Sequence, residues 1–357
     1  MQKIESPAFF IGRGQGDGLI SFGSGQPDLP PPPEAFQVLA NYRAFKYGLV
    51  QGEEPLRGAI AKEYPKASAD NFVITNGASE ALDLVLRALS QQDATVALPR
   101  PYYYSYPHNV ALAGMESVYY DLDQNGKIDY DAFEKIVSSC RAVIINSPSN
   151  PTGTVQEVET LKKIEALCER LGIYIISDEV YKNLIYVREN YLLQGTRVVV
   201  VNSFSKTYAM CGLRVGYAYS TDAELITRIV EMKSHTSMNT SVMGQAMALA
   251  ATEAKHPYVE EHLAIWRERR ERMYSGMSAL GLDLWKPEGA FYVFPKIKNA
   301  TQAMHDLYHT YKLITYDGTW FGSPKRLRFS YALDTQKIDE GLQRLKQFLE
   351  KEYLSYE

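Results

Sequence analysis

RAVIINSPSNPTGTVQEVETLKKIEALCERLGIYIIS, residues 141–177, places two apolar runs, RAVIIN (141–146) and IYIIS (173–177), around one helical stretch, QEVETLKKIEALCERLG (156–172). Neither run alternates polar with apolar residues, as a strand with one wet face would, so both read as strands buried on two faces. The stretch between them repeats apolar residues at helical spacing, with an SNPTG turn before it and a glycine at its end. Strand, helix, strand in that order is the signature of a parallel pair with a helical crossover. The alternation continues outward. Toward the N-terminus lie NFVIT (71–75) with a helix through EALDLVLRAL (80–89), and ATVAL (94–98) with a helix through SYPHNVALAG (105–114); toward the C-terminus lies RVVVVN (197–202). The expected fold is α/β, with a mostly parallel sheet covered by helices on both faces. In such sheets ligands lie beyond the carboxyl ends of the strands, so the residues just after each run are the ones to inspect.

The flanks differ from this centre. Residues 1–35 read as an arm with little core, glycine-rich in GRGQGDG (12–18) and extended through LPPPP (29–33). The alternating region then spans 36–256 as a large domain. Beyond it come a long helix, EEHLAIWRERRERMYSGMSAL, strand-like AFYVF (290–294), a helix near 300–312, strand-like RLRFSYA (326–332) and a terminal helix from Thr335. These form a smaller α/β domain over 257–357, with the arm expected to pack against it.

The 357 residues are 45% hydrophobic and 22% charged, which excludes a disordered or fibrous chain. Thirty-eight basic against 42 acidic residues leave a net charge of −4, too little positive charge for nucleic acid to be the main partner. No stretch approaches the roughly 18 apolar residues of a membrane span, and no secretion signal is visible. Cys140, Cys168 and Cys211 are widely spaced and odd in number, which suits a reducing cytoplasm better than a disulfide framework.

Some patterns resemble sites and lack their essential parts. DLDQNGKIDYDA (121–132) begins like a calcium loop but has Ala132 where the bidentate glutamate belongs, so it reads as a turn entering a helix at Tyr130. His305 and His309 are four apart without the glutamate of a zinc motif. No metal site is expected. Ser203 and Lys206 form SxxK, but the SDN and KTG partners are missing.

Four strand-end segments fit one another far better: NSPSNPTG (146–153), SDEVY (177–181), SFSK (203–206) and GLRVGY (212–217). In this order they resemble the fold-type I pyridoxal-phosphate enzymes, specifically the class I/II aminotransferases of the aspartate aminotransferase superfamily, with similarity from about Gly25 to Arg328. The resemblance implies a seven-stranded sheet in the large domain and pyridoxal 5'-phosphate as cofactor. It implies that Lys206 is the amine that condenses with the cofactor aldehyde and then moves the substrate's α proton. Asp178 would meet the pyridine nitrogen, and Tyr181 and Asn150 the phenolic oxygen. Arg214, Ser203 and Ser205 would hold the phosphate, together with the turn Gly77, Ala78 and Ser79 at a helix N-terminus. Tyr103 in RPYYYSYP (100–107) would stack on the ring, with Tyr102 or Tyr104 as register alternatives, and Tyr47 would reach the phosphate of a neighbouring subunit, making the protein a homodimer.

For the substrate, the resemblance places the α-carboxylate on Arg328, rather than Arg326, and on Gly25 and Asn150. The implied activity is amino-group transfer between an L-amino acid (aspartate, aromatic or broad range) and a 2-oxo acid, 2-oxoglutarate foremost. Members preferring acidic substrates carry a lysine where this chain has Ser79, so an acidic side chain would need another cation, such as Arg13, Arg100 or Lys46. A decarboxylase or β-lyase is the alternative, because fold and cofactor do not fix which bond breaks.

Overall fold

The computed structural model describes residues 6–10, 18–187 and 190–351. Arg13 and the glycines at 12, 14 and 16 therefore lie outside the described residues. The first strand, β1 (Ile20–Ser21), belongs to the arm. A seven-stranded sheet follows, built from β2 (Phe72–Thr75), β3 (Thr95–Arg100), β4 (Glu116–Asp121), β5 (Ala142–Asn146), β6 (Tyr174–Asp178), β7 (Val198–Ser203) and β8 (Gly216–Tyr219). Its order is β2-β8-β7-β6-β5-β3-β4. All neighbours pair parallel except β8, which runs against both β2 and β7. The expected α/β fold with a seven-stranded, mostly parallel sheet is what the chain adopts.

The buried strands explain their own sequences. β5 is buried at every position, because helices cover both faces and no position needs to be polar. One apolar cluster fills each face of the sheet, with Ile145, Ile175 and Val200 on one side and Ile144, Ile176 and Val201 on the other. The reversed strand β8 was hidden in sequence. Only four residues long, GYAY lies inside the segment GLRVGY, where the glycine and arginine motif dominates the pattern.

The third apolar cluster gathers Phe10, Ile20 and Phe22 of the arm with residues from Trp266 to Phe348. Here the short strands β9 (Tyr292–Val293), β10 (Leu313–Ile314), β11 (Tyr316–Asp317) and β12 (Leu327–Ser330) surround the helices Tyr258–Ala279, Ala300–His309 and Thr335–Lys351. β1 pairs parallel with β10, so the arm adds a strand of its own to this region. The proline run ends at Pro33 in the first turn of the helix Pro33–Asn41, a position where a missing N–H costs nothing.

The calcium-like stretch is a turn. Asp123 Oδ1 accepts from the N–H groups of Asn125 and Lys127, both at 2.8 Å, and Asp129 caps the helix Tyr130–Val137. Among the described residues no group of three or more His, Cys, Asp or Glu side chains could hold a metal, and no helix is long and apolar enough to cross a membrane.

Candidate active site

The carboxyl ends of β6 and β7 carry the first components. β6 ends at Asp178, whose Oδ2 accepts from the Tyr106 hydroxyl at 2.5 Å and whose Oδ1 accepts from the Val180 N–H at 3.2 Å. Burial pushes this carboxyl up, against those two hydrogen bonds, and no cation pairs with it among the described residues. β7 ends at Ser203, which caps the single helical turn Phe204–Thr207 by accepting from the Ser205 N–H; the two serine hydroxyls lie 2.7 Å apart. The same turn carries Lys206, whose Nζ donates to the Gly25 carbonyl at 2.7 Å. Burial, and then the charges of Arg328 and Arg214, hold the Lys206 ammonium below the ordinary lysine range, with Cys211 opposing. A larger share of free amine at neutral pH is what a nucleophile and proton carrier needs.

Across from this turn, β2 leads through Asn76 into the helix Gly77–Leu89. Gly77 has φ +78°, and a Cβ there would lie 2.4 Å from Arg214 Nη2. Gly216 opens β8 so close to this junction that a Cβ would lie 2.7 Å from the Ala78 nitrogen. Two glycines therefore let Arg214, itself in the left-handed region at φ 55°, approach a helix N-terminus directly. Ser79 is exposed there and Arg214 Nη2 reaches the Asn76 carbonyl at 3.4 Å, so the junction offers helix-dipole, hydroxyl and guanidinium donors to an anion, with Ser203 and Ser205 on the turn that follows β7. Behind it, Glu80 accepts from the Asn76 N–H at 2.7 Å and pairs with the fully buried Lys233 at 2.8 Å. Burial pushes the Glu80 carboxyl up, but hydrogen bonds from Lys233, Ser237 and the Asn76 backbone outweigh it and hold the group below its usual range. Breaking such a buried pair from one side costs about 3–5 kcal/mol, so the turn is firmly set.

Another side of the site is organised by Arg328, 2% exposed in β12. Its Nη1 donates to Asn150 Oδ1 at 2.9 Å and its Nη2 to the Gly23 carbonyl at 2.6 Å, while Nε is buried without a partner. No carboxylate pairs with it among the described residues. Tyr292, Tyr316 and Phe321 pack around the guanidinium, 4.5 to 5.0 Å from ring centre to carbon. Arg326, by contrast, lies over Trp285 and donates to the Phe294 carbonyl. Tyr181 hydrogen-bonds the Tyr292 hydroxyl at 2.7 Å.

Of the three adjacent tyrosines, Tyr102 packs on Tyr119 and Tyr104 on Phe321. Tyr103 meets Tyr106, the hydrogen-bond partner of Asp178. Tyr47 stands apart, 84% exposed, and forms none of the site's hydrogen bonds. Arg100 is engaged by Asp121 and lies over Tyr119, and Lys46 is exposed. Sequence motifs passed over Tyr106, Tyr292 and the Gly23 carbonyl. Tyr106 sits inside RPYYYSYP and could have been suspected, whereas Tyr292 meets Tyr181 only through a contact 111 residues away in the chain.

Three features fit pyridoxal 5'-phosphate and an amino acid: an anion cradle closed by two glycines, a buried acid without a cation, and a buried guanidinium with an orphaned Nε. The comparisons with known proteins agree. The pattern of the family described as aminotransferase class I and II matches residues 17–345. A probable aspartate/prephenate aminotransferase of Aquifex aeolicus is 33% identical, over 95% of this chain and 93% of its own. The aspartate aminotransferase of Thermotoga maritima superposes with a TM-score of 0.90 at 30% identity, covering 97% of this chain and 95% of that one. An aromatic aminotransferase of Pyrococcus horikoshii superposes at 0.88 with 28% identity, covering 97% and 99%. The chain belongs to the class I and II aminotransferases and is a pyridoxal-phosphate-dependent transferase of amino groups.

Proposed function

We propose that the enzyme transfers the amino group of an L-amino acid to a 2-oxo acid, 2-oxoglutarate foremost, and that aromatic amino acids are its preferred donors within a range that includes aspartate. The observation that carries this is Arg328: a buried cation with an unpaired Nε, ringed by Tyr292, Tyr316 and Phe321. A planar guanidinium grips an α-carboxylate through two parallel hydrogen bonds. The surrounding rings offer an apolar wall suited to an aromatic side chain.

Roles follow from position. Arg214, Ser203, Ser205 and the turn Gly77, Ala78 and Ser79 hold the phosphate; Tyr103 covers the ring; Asn150 and Tyr181 bind its phenolic oxygen. Bound there, pyridoxal 5'-phosphate supplies an aldehyde that takes up the amino group and a ring that accepts the electron pair left at the substrate's Cα. Asp178 would meet the ring nitrogen, and a cationic nitrogen there would hold the carboxyl ionised against the upward push of burial. Lys206 Nζ, freed when the amino acid arrives, takes the α proton as a general base. Gly25, Asn150 and Arg328 fix the carboxylate so that the Cα–H bond faces Lys206. In division, 1–35 serves as arm, 36–256 carries the cofactor residues and 257–357 carries Arg328. Three free cysteines suit a cytoplasmic location.

Phe36, Leu39, Phe45, Tyr47 and Leu49 leave an exposed apolar stretch, 46 to 84% accessible, which supports a homodimer in which Tyr47 reaches the partner's phosphate. Sedimentation should give twice the chain mass; a fully active monomer would refute the shared site.

The deciding experiment adds tyrosine, phenylalanine, aspartate, glutamate, leucine and alanine separately to the cofactor-loaded protein, without oxo acid, and follows the absorbance. Conversion to the pyridoxamine spectrum, fastest with the aromatic pair, is expected. Carbon dioxide release instead would move the enzyme to the decarboxylase branch, and a lead for aspartate would overturn the aromatic preference.

A further inference from the structure

Tyr292 stands where the parts of the site meet. It is 1% exposed in β9, and its hydroxyl lies 2.7 Å from the Tyr181 hydroxyl. On another side it presses on the arm: a Cβ on Gly25 would fall 2.1 Å from the Tyr292 oxygen, and the Gly25 carbonyl is the acceptor for Lys206. The Arg328 guanidinium lies over its ring at 4.5 Å. One tyrosine thus meets the surroundings of three residues already placed in the site.

Two buried hydroxyls at 2.7 Å share a single proton between their oxygens, and the direction of that bond decides which of them can donate elsewhere. If Tyr181 donated to Tyr292, it would have no proton left for the cofactor. The environment favours the opposite direction. The Arg328 guanidinium lies 4.5 Å over the Tyr292 ring and makes that phenol more acidic against the upward push of burial, whereas no cation lies over the Tyr181 ring among the described residues. The more acidic phenol is the better donor.

We propose that Tyr292 is a positioning residue whose hydroxyl donates to Tyr181, leaving the Tyr181 hydroxyl free and polarised to donate to the phenolic oxygen of the cofactor. This rests on the assignment of Tyr181 to that oxygen. A hydroxyl that accepts one hydrogen bond donates a stronger one, by about 10–30%. The other titratable or charged groups facing the pair are Tyr103, Tyr104, Tyr316, Tyr331 and Arg328 around Tyr292, and Asp178 and Arg328 around Tyr181. All of them remain in place in the variants below.

The test is the pH midpoint of the absorbance change of the cofactor-loaded protein, read without substrate. Donation to the phenolic oxygen favours the form of the site with one proton fewer, so weakening it raises the midpoint. Tyr181→Phe should raise it by roughly one to two pH units. Tyr292→Phe should raise it by roughly 0.1 to 0.6 of a unit, and should add nothing in a Tyr181→Phe background. A fluorinated tyrosine at position 292, a more acidic donor of nearly the same shape, should lower it. An unmoved or lowered midpoint in Tyr292→Phe, or an equal shift in both backgrounds, would overturn the inference. An unmoved midpoint in Tyr181→Phe would overturn the assignment of Tyr181 itself, and this inference with it.

Discussion

Lys206→Ala is expected to remove transamination while leaving the cofactor bound. The anion cradle does not depend on the lysine: Gly77, Gly216 and Arg214 approach one another through backbone geometry, and Ser203 holds Ser205 through its own cap. What disappears is the amine whose proton affinity the site lowers by burial and by Arg328 and Arg214. Loss of a general base alone costs about 10²- to 10⁴-fold in rate, and loss of the covalent anchor adds to it. Turnover measured with the best donor, beside phosphate content after gel filtration, checks both halves. Turnover at the original rate would remove Lys206 from the chemistry, and loss of cofactor would show that the cradle alone does not retain it.

The second large effect is expected at Arg328, the other buried cation of the site with no carboxylate partner among the described residues. Arg328→Ala should raise KM for every amino acid by roughly ten- to a hundred-fold, since a hydrogen-bonded charge pair contributes about 1.5–3 kcal/mol. The change should be similar for tyrosine, aspartate and alanine, because the α-carboxylate is common to all of them. Arg328→Lys should recover only part of the affinity, as an ammonium cannot offer two parallel donors while also serving Asn150 and the Gly23 carbonyl. A KM that rises for aspartate alone would mean that Arg328 serves the side chain instead.

The sheet was legible because its strands are buried on both faces. Continuous apolar runs such as IYIIS and RVVVVN, at that length between turn signals, read as buried strands, and the residues at their ends, Asp178 and Ser203, fall where an α/β sheet presents ligands. Strand β8 and the two-residue strands β1, β10 and β11 were not legible, since two to four residues carry no period. The polar contacts divide in the same way. Lys206 and Arg214 stand eight residues apart in one motif, whereas the bonds from Tyr106 to Asp178, Tyr181 to Tyr292 and Arg328 to the Gly23 carbonyl join segments 72, 111 and 305 residues apart. No local pattern announces contacts that the fold makes by bringing remote loops together.

The bond from Arg328 to Gly23, and the pairing of β1 with β10, tie an early part of the chain to a late one. During synthesis the anion cradle, whose supporting ion pair is completed by Lys233, emerges before the pocket around Arg328 can exist. Until Arg328 has left the ribosome, the Gly23 carbonyl and the Asn150 amide have no guanidinium to receive. At about 5–20 residues per second, the chain thus spends several seconds with every residue of the cradle made and the partners of Arg328 still waiting for it. Closing that distant pair is a long-range, slow event for the chain, and it can follow only after most of the protein has been made.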